Sequence, residues 1–173
     1  AYIIKTPNRM DKVTGVSECI SHMWNDKEKL VDKILESKSL EKAWEILRDY
    51  PYMGPFMAYE VVTDLRHTYL LREATDILTW ANAGPGAMRG LNRLAGRDLD
   101  FSRRTHPWND EMRELWELSR ERLNPNLISL DRFEMREIEG GLCEFDKYSR
   151  ILNEEGRTRS VYKYNKELPL VED

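Results

Sequence analysis

Met53-Gly54-Pro55-Phe56 stands at a tight connection between two stretches of helical periodicity. A glycine there lets a phosphate approach the backbone N–H groups at the positive start of the second helix. Pro55 removes one of those donors, and a plain helical hairpin would use the same residues. Asp76, in Thr75-Asp76-Ile77-Leu78-Thr79-Trp80, follows 22 residues after Gly54, and taken alone it reads as a helix cap. Gly84-Pro85-Gly86-Ala87-Met88-Arg89-Gly90 is a second glycine-led helix start, with Arg89 and then Arg93 on the helix behind it. Glycines before a helix can cradle phosphate, and they also simply turn a chain. Lys147 and Arg150 share a helical face at i,i+3, with Cys143 at i,i+4 from Lys147 and Glu144 paired with Tyr148. Such a pair of cations could hold a pyrophosphate or a DNA phosphate, or could belong to a salt-bridged surface face.

Other chemistries find less support. The GxxxxGK[ST] pattern of a P-loop occurs nowhere, so the sequence offers no recognisable cradle for ATP phosphates. His22, His67 and His106 are scattered without metal-ligand spacing, and no Ser/His/Asp or Cys/His arrangement emerges. Cys19 and Cys143 are too few for a disulfide scaffold and read as small buried hydrophobes, which suits a reducing cytoplasm.

The elements that must position these residues are helical. Asn25 with Glu28 reads as a capping box, and Leu30, Ile34 and Leu35 carry a stripe to about Ser37. Ser39 reads as the next cap, before Leu40, Ala43, Trp44 and Leu47; that helix must stop before Pro51. Pro55 suits the first turn of a helix with Phe56, Tyr59, Val62 and Leu65 lining one face. A polar connector spans Arg66 to Thr75. A short helix covers Ala87 to Leu94, with Gly96 as its C-terminal cap. Asn109 reads as the cap of a helix carrying Met112, Leu115, Trp116, Ser119 and Leu123, ended by Asn124-Pro125-Asn126. A last helix runs from about Leu130 to Leu152, with Gly140–Gly141 marking a kink or a close helix contact. No alternating strand pattern of useful length appears. The expected class is all-α, as one helical domain over 1–155 with a polar tail over 156–173.

At 173 residues and 40% apolar composition the chain can bury a core, and no apolar run approaches the roughly 20 residues needed to cross a bilayer. No signal peptide opens it. It starts at Ala1 on the apolar run Tyr2-Ile3-Ile4, which reads as a chain whose N-terminal part is missing. A net charge of −4 argues against a general nucleic-acid coat. The charge is nevertheless segregated. Residues 84–104 hold five arginines against two aspartates, and 147–166 hold six basic residues against two glutamates. The stretch between, 105–146, holds eleven acids against five arginines. That segregation suits a phosphate-facing side, or ordinary solvated helix faces.

Gly54-Pro55-Phe56-Met57-Ala58-Tyr59, Asp64-Leu65, Asp76, Gly84-Pro85-Gly86-Ala87-Met88-Arg89-Gly90 and Leu142-Cys143-Glu144-Phe145-Asp146-Lys147-Tyr148 occur in that order. From Ala1 to about Tyr164 the pattern resembles the helical domain of phage thymine-hypermodification proteins. These include the 5-hydroxymethyluracil DNA kinases and the alpha-glutamyl/putrescinyl thymine pyrophosphorylases, among them amino-acid and polyamine transferases acting on DNA. The resemblance implies a helix-hairpin-helix, DNA-glycosylase-like helical fold. It also implies more sequence before Ala1, or a partner chain, and for the kinase members a separate P-loop domain that this sequence lacks.

The implied chemistry uses double-stranded DNA and a small amine or amino-acid co-substrate. The base is extruded, and the amine displaces pyrophosphate at the methylene carbon of a 5-hydroxymethyluracil derivative. By the resemblance, Asp76 accepts the amine proton or stabilises developing positive charge. Arg89, Arg93, Lys147 and Arg150, with Gly84 and Gly86, hold phosphate. Met53, Gly54 and Phe56 form the DNA hairpin, with a monovalent cation there by the glycosylase analogy. Two rivals stand beside the transferase. One is a glycosylase in which Asp76 stabilises an oxocarbenium-like sugar; the other is a non-catalytic DNA-binding module of a 5-hydroxymethyluracil DNA kinase.

Overall fold

A computed structural model describes residues 6–7, 9–124 and 132–156. Among the described residues it contains helices and no strand. In chain order they are α1 (Lys12–Asn25), α2 (Lys27–Ser37), α3 (Leu40–Arg48), α4 (Pro55–Leu65), α5 (Pro85–Leu94), α6 (Trp108–Arg122) and α7 (Met135–Leu152). The expected all-α class holds.

Several boundaries follow from local chemistry already visible in the chain. Ser39 caps α3, its hydroxyl accepting the Lys42 N–H at 3.1 Å. Leu40, Ala43 and Leu47 then fall on one buried face. Pro55 and Pro85 occupy the first turns of α4 and α5, each behind a glycine in extended conformation. Gly96 takes φ +63° past the end of α5, and the Arg97 N–H closes back on the Asn92 carbonyl at 2.9 Å.

Other expectations are corrected. Asn25 does not open α2; it ends α1, and Asp26 stands at the junction with its carboxylate accepting the Tyr50 hydroxyl at 2.6 Å. Asn109 lies inside α6 rather than capping it, and its side-chain oxygen accepts the Ala81 N–H at 3.0 Å. The last helix begins at Met135, where Glu137 accepts the Glu134 N–H at 2.8 Å; the expected start near Leu130 lies outside the described residues. So do Pro125 and Asn126, and the tail beyond 156. Phe56 points outward rather than into the core, at 51% exposure. Helix α1 was not legible at all. It buries only Gly15 and Cys19 while Val13, Ile20 and Trp24 are exposed, so it carries no continuous apolar stripe.

One hydrophobic cluster runs through α2, α3, α4, α5, α6 and α7, with Leu47, Val62, Leu71, Met112 and Met135 fully enclosed. The closest helix pair is α5 on α7. A Cβ on Gly90 would lie 2.6 Å from the Leu142 carbonyl oxygen, and one on Gly86 2.8 Å from the Cys143 sulfur. These glycines let the two backbones touch. Gly140 and Gly141 face open space, so the close contact expected there belongs to α5 instead.

Candidate functional site

Helices α3 and α4 pack as a hairpin around the turn 49–54. Met53 anchors that turn from inside, at 9% exposure, so it can offer a ligand its backbone alone. Tyr52 beside it adopts φ +65°, a conformation that costs a residue with a side chain about 1 kcal/mol, and its ring is exposed. Gly54 has nothing within 4 Å of a built Cβ, and the α4 start has no side-chain cap. The hairpin is fixed from behind: the Pro55 carbonyl accepts Trp44 Nε1 at 2.8 Å and Asn82 Nδ2 at 3.5 Å. Trp44, Trp80 and Tyr59 pack ring against ring, and Arg48 lies over Trp44 at 4.2 Å. The tip therefore presents a helix start without a side-chain cap, between Tyr52 and Phe56.

Asp76 lies elsewhere, at the start of α3. Its Oδ1 accepts the Leu40 N–H at 2.7 Å; its Oδ2 accepts the Ser39 hydroxyl at 2.7 Å and the Glu41 N–H at 3.1 Å. The residue opens a single turn rather than a helix, its carbonyl accepting the Thr79 and Trp80 N–H groups. A carboxylate at a helix N-terminus satisfies orphan donors and meets the positive end of the dipole.

The start of α5 is closed in a related way. Glu139 of α7 reaches the Gly84 backbone, and the Cys143 thiol donates to its Oε1 at 3.3 Å. Burial pushes the Glu139 carboxyl above its usual range. It also pushes the Cys143 thiol up to about 12, which keeps that sulfur an un-ionised packing group. Gly84 and Gly86 thus face protein groups. The Tyr59 hydroxyl is buried without a hydrogen-bond partner among the described residues, and burial raises its pKa.

The arginines behind that helix start converge. Asp146, 2% exposed, accepts the Nε–H of Arg93 at 2.9 Å and of Arg89 at 3.3 Å; Arg150 Nε lies 3.3 Å from it as an ion-pair contact, buried and without a hydrogen-bond partner among the described residues. The terminal nitrogens of Arg93 and Arg89 lie toward Glu155. Those of Arg93 meet Glu155, which also lies 3.9 Å from Arg89 Nη2. Those of Arg150 hydrogen-bond to no described residue. Three of the four cations expected from the sequence to hold phosphate are therefore brought together. Lys147 is turned to Glu144 at 2.5 Å on an exposed face.

Asp146 and Glu155 were missed as partners by the sequence reading. The i,i+4 spacing of Asp146 and Arg150 carried the signal for the first; nothing local signals Glu155, which meets Arg93 across 62 residues. Among the described residues no group of three or more His, Cys, Asp or Glu side chains is placed to hold a metal ion. None of the described helices is long and apolar enough to cross a membrane.

Residues 1–158 match the family model described as 5-hmdU DNA kinase, helical domain. No curated protein and no solved structure matches the chain.

Proposed function

Because the chain belongs to the family of 5-hmdU DNA kinase helical domains, we propose that it holds DNA for thymine hypermodification, gripping a phosphorylated 5-hydroxymethyl pyrimidine through Arg89, Arg93 and Arg150. The observation that carries this reading is the convergence of three guanidiniums on the buried Asp146, two of them, Arg89 and Arg93, hydrogen-bonded to it through Nε with outer nitrogens turned to Glu155. A carboxylate that pins the Nε edges orients the forks, and forks so held match phosphate oxygens in pairs. The α3–α4 hairpin is the second contact, its uncapped helix start set against the DNA backbone and Tyr52 and Phe56 beside it.

The finer reading is a transferase. An amine nitrogen forms a bond to the methylene carbon, the carbon–oxygen bond to pyrophosphate breaks, and the amine gives up a proton. The arginines would hold the leaving pyrophosphate. Asp76 is less suited to receive that proton than its sequence position suggested, since both its oxygens accept donors from α3. The same commitment weighs against a glycosylase, which would need this carboxylate facing a sugar. It favours the domain as a DNA-holding partner of chemistry completed by other residues.

The test is affinity for duplexes that differ in one base: thymine, 5-hydroxymethyluracil, or its phosphorylated and pyrophosphorylated forms. Tighter binding of the phosphorylated duplexes, lost in Arg89→Gln, is the expected result. Equal affinity for all four duplexes would overturn the reading. Nucleoside mass spectrometry after incubation with amino acids and polyamines then reads the transferase directly: an amine adduct establishes it, and untouched DNA leaves the holding role.

A further inference from the structure

Glu155 lies against the outward nitrogens of the arginine cluster. It follows the end of α7 on a turn in which Glu154 takes φ +57°, and its own N–H closes on the Arg150 carbonyl at 2.8 Å. That turn brings its carboxylate back over the arginine cluster. It accepts Arg93 Nη1 at 3.2 Å and also Arg93 Nη2, lies 3.9 Å from Arg89 Nη2, and takes Asn153 Nδ2 at 3.3 Å. Asp146 differs in kind. It is enclosed, accepts the Nε–H groups of Arg89 and Arg93 and lies 3.3 Å from Arg150 Nε, whereas Glu155 is partly exposed and touches only outward nitrogens.

We propose that Glu155 is an internal occupant of this anion site, a carboxylate latch that a phosphate or pyrophosphate group displaces. The inference rests on reading the three arginines as phosphate-holding. Charge supports an exchange of this kind. With Glu155 swung away, three guanidiniums and Asp146 leave two positive charges, which a dianion neutralises and a second carboxylate does not. Geometry supports it too: a tetrahedral phosphate group offers oxygens to Arg89, Arg93 and Arg150 together, while Glu155 engages Arg93 fully, Arg89 loosely and Arg150 not at all. The latch also makes the site conditional. Arg93, and more loosely Arg89, are held by Glu155 when no phosphate is present, and that part of the site opens only to a ligand that outcompetes an internal carboxylate.

Binding of inorganic pyrophosphate to the whole chain, measured by titration calorimetry, tests this. A latch closed about nine-tenths of the time lowers the apparent affinity about tenfold, so Glu155→Gln should bind about tenfold more tightly. Adding Arg89→Gln to that variant should remove the gain. Glu155→Asp, whose shorter side chain falls back from Arg93, should also gain affinity and serves if the glutamine variant does not fold. If the unaltered chain binds pyrophosphate and neither variant binds more tightly, the latch is overturned while the phosphate reading stands. If none of them binds pyrophosphate, both are overturned.

Discussion

The carboxylate of Asp76 accepts the backbone N–H of Leu40 at 2.7 Å, which makes it a tertiary cap on a helix that begins 36 residues earlier. With the Ser39 hydroxyl and the Glu41 N–H on its other oxygen, it ties the segment after α4 to the start of α3. Asp76→Ala should therefore destabilise the chain by about 1–2 kcal/mol, and Asp76→Asn by roughly half as much because one oxygen acceptor remains. Urea denaturation midpoints check this. An unchanged midpoint combined with lost turnover would return Asp76 to chemistry; a lowered midpoint with DNA affinity kept by the folded protein supports the cap.

Glycines in this chain should respond in opposite directions to the same substitution. Gly90→Ala places a methyl group 2.6 Å from the Leu142 carbonyl oxygen, so α5 must move off α7. Overpacking against backbone costs about 1–3 kcal/mol. Gly140→Ala and Gly141→Ala meet open space inside α7 and should each stabilise by up to about 1 kcal/mol. Thermal unfolding of the three variants settles the comparison, and a destabilising Gly140→Ala would contradict it.

The sequence made helices legible where capping and periodicity coincide, as at Ser39 with Leu40, Ala43 and Leu47. It failed where a helix is held by few buried residues, as α1 is, and where a polar side chain serves a distant segment. Asn109 and Asp76 both looked like caps for their own neighbourhoods, yet they bind Ala81 and the α3 start. Local pattern identifies a residue able to accept an N–H; it does not say whose N–H. The candidate site divides the same way. Arg89, Arg93 and Arg150 were recognisable as cations on helix faces, but their common partner Asp146 depends on the α5–α7 contact that Gly86 and Gly90 permit.

Acid should loosen the connection between α5 and α6. Arg97 grips Glu111 through both terminal nitrogens, at 2.5 and 2.6 Å, and His106 joins Glu111 at 2.7 Å. The Arg97 hydrogen bonds hold the Glu111 carboxyl below its usual value of 4.5. A folded-state pKa lowered in this way contributes stability above the unfolded value, and that contribution is lost as pH falls through the folded one. Glu111→Gln should cost about 1–2 kcal/mol at pH 7, and the gap from the unaltered chain should narrow as pH drops below about 4.5. Unfolding temperatures recorded from pH 7 to pH 3 test this, and a gap that stays constant would exclude the ion pair as its source.

Gly54 allows fold and DNA contact to be separated, because one substitution should push them apart. Its backbone, at φ −67° and ψ 170°, suits any residue, and a Cβ there meets nothing. Aspartate at this helix-capping position should leave stability unchanged or raise it by about 0.5 kcal/mol. The same carboxylate would stand where the hairpin meets a DNA phosphate, adding like-charge repulsion and covering the helix start. Gly54→Asp is therefore expected to melt no lower than the unaltered chain yet bind duplex DNA several-fold more weakly, with the log–log salt slope reduced by about one. Gly54→Asn supplies a cap without charge and should retain more of the affinity. Fluorescence anisotropy across a salt series measures both quantities, and unchanged affinity in Gly54→Asp would remove the hairpin from the DNA interface.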